Sequence, residues 1–256
     1  MARTTKGGPT GSAAARPLVT NTAAFLRLLE HANVKGTIDE CVVDFYEDGF
    51  AHIAAVDMSN SLFLDCGEDV GCCEDRRIGV SNLGLLCKHL GNGNDPTFEL
   101  TKDTLVVRNK GCGSIRTTLH EPEQIPTAVK SGGDDAVKKL LKPCTTTVVL
   151  TEEVAEKVNY YLGLVPTTGV RLTVEKGRAV LSSISDAVAC TVELGKAEGE
   201  DLTVEFYSEY LQKLMGGGLL SWEDEAEQPE LRVGKSAAVV VYANADNVWA
   251  IMPITA

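Results

Sequence analysis

The chain has 256 residues, 44% of them hydrophobic and 23% charged, with a formal net charge of −12 and a mean hydropathy of −0.01. That length allows two domains of ordinary size, each with its own core, and no apolar run approaches the ~18–20 residues of a membrane span. So acidic a composition excludes simple adhesion to nucleic acid through a broadly basic surface, so any such role has to work by local charge placement or by topology.

Residues 1–17 carry Arg3, Lys6 and Arg16, no acid and mostly small side chains, the composition of a flexible basic tail. They lack an apolar h-region, which argues against a secretory signal, while a basic, acid-free start is loosely compatible with an organelle transit peptide. Asn21 or Thr22 can cap a helix running to residue 34, with Phe25, Leu28, Leu29 and Ala32 on its buried face and Arg27 and His31 on the other. Strands are expected at 42–45, 50–56 and 61–64, with Asp48-Gly49 as the hairpin signal. A strand at 77–80 leads into a second helix at 82–90, whose apolar positions are Leu83, Leu86, Cys87 and Leu90, and strands at 98–100, 105–108 and 114–119 follow. Residues 120–143 hold Pro122, Pro126, Gly132-Gly133 and a short possible helix at 134–142, the composition of a connector.

The remainder repeats this order. It begins with a strand at 146–150 and a helix at 152–164, with Val154, Val158, Tyr161 and Leu162 inward. A hairpin turning at Lys176-Gly177 follows, then a third strand from Ala187 to Leu194. A strand at 202–207 runs into a helix at 209–215, ended by Gly216, Gly217 and Gly218. Leu219 to Trp222 can pair as a strand before an acidic loop at 223–230, and strands at 231–233, 237–242 and 248–254 close the chain. Val42 matches Val170, Glu47 matches Glu175 and Gly49 matches Gly177, an offset of 128 residues, which is half the chain. The expected architecture is α+β: two duplicated domains, 18–119 and 144–256, joined by the connector at 120–143, each with two helices on one face of an antiparallel sheet.

Cys41, Cys66, Cys72, Cys73, Cys87, Cys112, Cys144 and Cys190 contain no C-x2-C or C-x4-C pair, and His31, His52, His89 and His120 supply no H-x3-H or H-x4-H partner. This spacing offers no metal centre and suits free thiols in a reducing compartment. Gly234-Lys235-Ser236 resembles the end of a phosphate-binding loop, but Pro229 stands where the first glycine belongs and a strand pattern follows. The acidic run Glu223, Asp224, Glu225 and Glu227 reads as solvated surface, and no carboxylate or histidine spacing singles out an acid/base pair. Arg27, Lys88, Lys157 and Lys213 each lie beside the apolar stripe of a predicted helix. Singly each is an ordinary exposed cation, but the duplication collects them on one face.

Five stretches carry a resemblance to a known family: AAFLRLLEHAN, HIAAVDMSNSLFL, IGVSNLGLLCKHLGNGND, RLTVEKGRAVL and the closing WAIMPI. Over nearly all of residues 18–256 the chain resembles the trimeric DNA sliding clamps, the group containing proliferating cell nuclear antigen and the T-even phage polymerase accessory clamp. The resemblance implies a closed homotrimeric ring that encircles double-stranded DNA without sequence preference. A clamp-loader ATPase would place the ring and a DNA polymerase would be tethered by it, with no cofactor, no metal, no membrane and no catalytic step. By position it places Arg27, Lys88, His89, Lys157 and Lys213 toward the DNA. It forms a partner pocket from Val56, Ile125, Pro126, Ile251, Met252 and Pro253. It pairs the edge of Gly113, Ile115, Thr117 and Leu119 with Val188, Cys190, Val192 and Leu194 of the next subunit. Family members often carry more basic residues on the inner face, so DNA contact here is expected to be weak. The implied location is cytoplasmic or nucleoid-associated, or a host cell for a viral or phage-like clamp, and not secreted. A checkpoint-type or transcription-tethering ring, and a β-rich enzyme with a carboxylate site, are the alternatives left open.

Overall fold

The computed structural model describes residues 18–92, 94–111, 113–127, 139, 141–165, 167–185, 188–222, 228–234, 239–244 and 246–254. The tail, Cys112, most of the possible helix at 134–142, the acidic run 223–227, Lys235-Ser236 and Ala187 lie outside the described residues.

Helix α1 (Thr22–Asn33) starts where the Asn21 side chain accepts from the Ala24 amide at 3.1 Å, and it buries Phe25, Leu28, Leu29 and Ala32. Phe25 meets Phe98 edge-on, with ring centroids 4.8 Å apart. Strands β1 (Glu40–Phe45), β2 (Phe50–Val56), β3 (Leu62–Asp69) and β4 (Arg76–Ser81) follow, then α2 (Leu83–Gly91) and strands β5 (Asn94–Leu100), β6 (Thr104–Lys110) and β7 (Gly113–Thr118). After a single 3₁₀ turn at Pro122–Gln124, the second half runs β8 (Thr146–Val149), α3 (Glu152–Leu164), β9 (Gly169–Glu175), β10 (Arg178–Ser183), β11 (Thr191–Glu198) and β12 (Leu202–Tyr207). It continues with α4 (Ser208–Met215), β13 (Glu230–Val233), β14 (Val239–Asn244) and β15 (Asn247–Ile251). From the first helix onward the two halves share one order of elements.

Alternation explains the sheet. In β9, Val170, Leu172 and Val174 are buried while Arg171 and Glu175 face solvent. Lys176 and Gly177 both take positive φ, 52° and 75°, the two-residue turn that matches the right-handed strand twist. Every named strand pair is antiparallel. One sheet has twelve strands in the order β12-β9-β10-β11-β8-β13-β14-β15-β3-β2-β1-β4, and a second has β5-β6-β7. The halves meet inside the large sheet, where β15 pairs with β3 and Trp249 stands opposite Leu64. Helices α1 and α2 pack together in the first half, as α3 and α4 do in the second.

Three expectations need correction. Leu219 to Trp222 is not a strand: Leu219 and Leu220 are buried and Trp222 packs against the core, so the apolar run serves packing below the glycine turn. The third strand of the second half begins at Thr191 and reaches Glu198, where it gains β8 as a neighbour. Tyr161 does not point inward; Ala155, Val158 and Leu162 form the buried stripe of α3 and Tyr161 is exposed.

Candidate functional site

Three surfaces hold the residues singled out above. The first is the helix face. Arg27 Nη2 lies 2.6 Å from Glu68 Oε1. Lys157 Nζ lies 2.6 Å from Glu153 Oε1, the i, i+4 order that a helix favours. Lys213 Nζ donates to Thr37 Oγ1 at 2.8 Å and so bridges the two halves. Lys88 is exposed, and His89 is half-buried with its ring Nε2 enclosed and its carbonyl bonded by the Asn109 side chain. Glu153, Glu156 and Tyr160 stand exposed on α3 beside Lys157. The predicted cations therefore share the helix layer, but in a field of mixed sign with much of the positive charge already matched.

The second surface is a cavity of about 430 Å³. One wall is the loop 36–40 after α1; the other is Val56, Asp57, Met58 and Asn60; Ile125 and Pro126 of the connector close the remaining side. The connector is held there because His120 exchanges two backbone hydrogen bonds with Gly79 of β4, at 3.0 and 3.2 Å. Val56, Ile125 and Pro126 are thus brought together as expected, whereas Ile251, Met252 and Pro253 do not line this cavity. Ile251 pairs with Leu62 and is wholly buried, Met252 packs beside Val248 and Ala250, and Pro253 bridges to Phe206. No local pattern marks the loop 36–40 or the Met58 tip as part of a site, although each follows an element whose spacing is visible in the sequence, α1 and β2.

The third surface consists of two strand edges. Strand β7 pairs with β6 and, among the described residues, has no strand on its other side. Strand β11 meets β8 only through Ala197 and Glu198, leaving one edge of its earlier part without a strand partner among the described residues. Gly113 is exposed, Ile115 and Leu119 are half-buried, and Thr117 is buried; Val188 is exposed, Cys190 is half-buried, and Val192 and Leu194 face the core. At Val192 and Leu194 it is the backbone, rather than the side chain, that stands on the edge. Leu85 on α2 and Tyr161, Leu164 and Ile184 in the second half are also exposed, at apolar positions the sequence reading did not single out as a surface.

No family model and no curated protein matches the chain, but its fold matches solved structures. Proliferating cellular nuclear antigen from Entamoeba histolytica aligns with a TM-score of 0.66 at 15% identity, over 93% of this chain and 97% of that one. A PCNA2–PCNA3 complex from Sulfolobus tokodaii gives 0.67 at 19% identity, covering 92% and 98%. A. fulgidus PCNA bound to the C-terminal region of FEN-1 gives 0.69 at 14% identity, covering 93% and 98%. The chain therefore has the fold of the DNA sliding clamps, in its two-part form: mixed helices and antiparallel sheet repeated along one chain.

Proposed function

We propose that the chain is a DNA polymerase processivity factor, a ring of three copies that encircles duplex DNA without sequence preference and tethers a replicative polymerase and other partners after a loader ATPase has closed it. The observation that carries this reading is the junction of β15 with β3. Strand β15 ends the second half as β7 ends the first, and β3 corresponds to β11. Each of these two counterpart strands has an edge without a strand partner among the described residues. The same pairing repeated between copies joins β7 of one to β11 of the next, a head-to-tail contact that forms a ring when its rotation closes and covers both of these edges.

The helix layer supports the same pairing. Leu85 and Lys88 on α2 have the three-residue spacing of Tyr210 and Lys213 on α4, and α4 is the helix that meets the first half. Ile184 and Val188 lie in the connection between β10 and β11, whose counterpart between β2 and β3 is 57–61. Leu85 of one copy is then set against Ile184 and Val188 of the next.

A net charge of −12 accords with retention by linkage rather than by phosphate contact. The cavity beside Ile125 is the docking place assigned to an apolar partner segment, in keeping with a structural neighbour that carries the C-terminal region of FEN-1. The reading gives the chain no catalytic step. A mixed ring is the second reading, favoured by the S. tokodaii neighbour, which is a complex of two different clamps. Native mass measurement of the purified chain separates the two: three copies support the homotrimer, and a stable single chain that assembles only with another clamp-like protein supports the mixed ring. After loading, release from linear DNA and retention on circular DNA are expected; equal retention on both would replace encirclement with direct affinity.

A further inference from the structure

The docking cavity belongs to the first half, yet both of its walls are tied to one helix of the second. Tyr210 Oη donates to Asp57 Oδ2 at 2.8 Å, and Lys213 Nζ donates to Thr37 Oγ1 at 2.8 Å. Tyr210 and Lys213 are three residues apart, on one side of α4. Neither lines the cavity; Asp57 and Thr37 both do, on opposite walls.

Asp57 organises its wall. Its Oδ1 accepts from the Ser61 and Leu62 amides at 2.7 and 2.8 Å, and its Oδ2 accepts from the Ser59 amide and hydroxyl at 3.2 and 2.5 Å. These bonds curl residues 57–61 into a tight loop with Met58 fully exposed at 102%. Tyr210 supplies the bond to this carboxylate that comes from the other half. Burial opposes the charge on Asp57, but the bonds from Ser59, Leu62, Tyr210 and Ser61 hold its carboxyl below the usual range. On the other wall Thr37 Oγ1 donates to the Val34 carbonyl at 2.8 Å while accepting from Lys213, so it relays the pull of α4 to the end of α1.

We infer that α4 is a brace across the two halves: Tyr210 and Lys213 are positioning residues that set the separation of the cavity walls, so that docking of an apolar segment and the packing of the halves are linked. The inference rests on the docking reading above. Linkage makes it reciprocal: whatever factor the brace contributes to segment affinity, the bound segment returns to the seam.

The test uses the full-length protein with Tyr210→Phe, which removes only a hydroxyl, Lys213→Met, and the double variant. Arg171→Ala serves as a control, because it breaks a surface pair with Glu205 in the second half, away from the cavity. The readouts are the Met58 methyl signal in methionine-labelled protein, amide exchange at Ser61 and Leu62, and binding of a synthetic peptide of the FEN-1 C-terminal region. The expected result is a displaced Met58 signal, faster exchange and affinity lowered about fivefold or more in the double variant, with the control unchanged in all three. Bound peptide should slow exchange at Ser61 and Leu62 in the wild type. Equal peptide affinity in the wild type and double variant overturns the brace while leaving the docking reading intact. Absence of peptide binding by the wild type overturns the docking reading and the linkage with it, whatever the Met58 signal does.

Discussion

Gly79 marks the point where the connector is pressed onto the sheet. A Cβ there would lie 2.7 Å from the His120 carbonyl oxygen and 2.7 Å from Ile125 Cδ1, one a backbone atom and the other part of the cavity wall. Gly79→Ala is expected to cost about 1–3 kcal/mol as an overpacking change and to weaken peptide docking by displacing Ile125. Chemical denaturation measures the first effect and peptide titration the second, and wild-type values for both would mean that the connector yields. His52 gives a pH dependence. Its ring faces the Asp65 carboxylate on β3, with Asp44 on β1 and Asp246 before β15 nearby, and Arg77 of β4 lies 3.8 Å from Asp44. Burial disfavours the charged ring, but the bond to Asp65 and the surrounding carboxylates outweigh it and raise His52 above its ordinary value near 6.5. A raised value stabilises the fold fully below the unfolded value, and that contribution is lost as pH rises through the folded one. Denaturation midpoints should therefore fall on the alkaline side of pH 6.5, and His52→Gln should flatten that slope; an unchanged slope would assign it to another group.

The two hairpins that reveal the duplication both turn through a glycine at positive φ, Gly49 at 106° and Gly177 at 75°. Gly177, at φ +75°, has room for a Cβ but not the backbone preference, so Gly177→Ala is expected to lower stability by about 1–2 kcal/mol. Thermal unfolding reads this directly, and no loss of stability would mean that the turn relaxes to another type. Helices and hairpins were legible because their signals are local: the apolar spacing of α1 and the alternation of β9 each depend on a face that the same residues define. Where the signal is tertiary the reading fell short. Nothing local separates the apolar run at Leu219 from a strand, because its partner is the core rather than a neighbouring strand. The outer half of β3, with Gly67, Glu68 and Asp69, carries no apolar alternation and is held as a strand by β2. In the cavity, Val56, Ile125 and Pro126 came through the family resemblance. Thr37, Asp57 and Tyr210 could not be singled out, since a threonine, an aspartate and a tyrosine acquire their roles only when α4 is laid against the first half. Ile251 is the reverse case: its place in the chain suggested the pocket, and its pairing with Leu62 commits it to the core.

At the scale of the whole molecule, the two kinds of seam differ in chemistry. Within the chain, α4 meets the first half through a phenol, a carboxylate and an ammonium, in addition to the β15–β3 pairing. Between copies, Leu85 takes the place of the Tyr210 phenol and Ser185 that of the Asp57 carboxylate, beside Ile184 and Val188, while Lys88 alone keeps an ammonium. A joint within one chain never has to open, whereas the proposed ring must open for loading, and an apolar contact can part without leaving buried charge behind. Leu85→Glu is accordingly expected to shift the native mass from three copies toward one while leaving the fold intact by circular dichroism. A ring that persists would move the contact away from α2.

The pairing of β15 with β3 also has a consequence for how the chain is made. Strand β3 emerges from the ribosome early, and its inner neighbour β2 emerges just before it. The strand that covers its other edge is the last one in the second half. Throughout synthesis of everything between them, β3 presents an open row of amides and carbonyls, a template for any passing extended segment. The first half can collapse around α1 and α2 during that interval, but its sheet is finished only when Asn247 to Ile251 arrive. Newly made chains stalled before that point are the species in which a chaperone, or misassociation with another nascent copy, is to be expected.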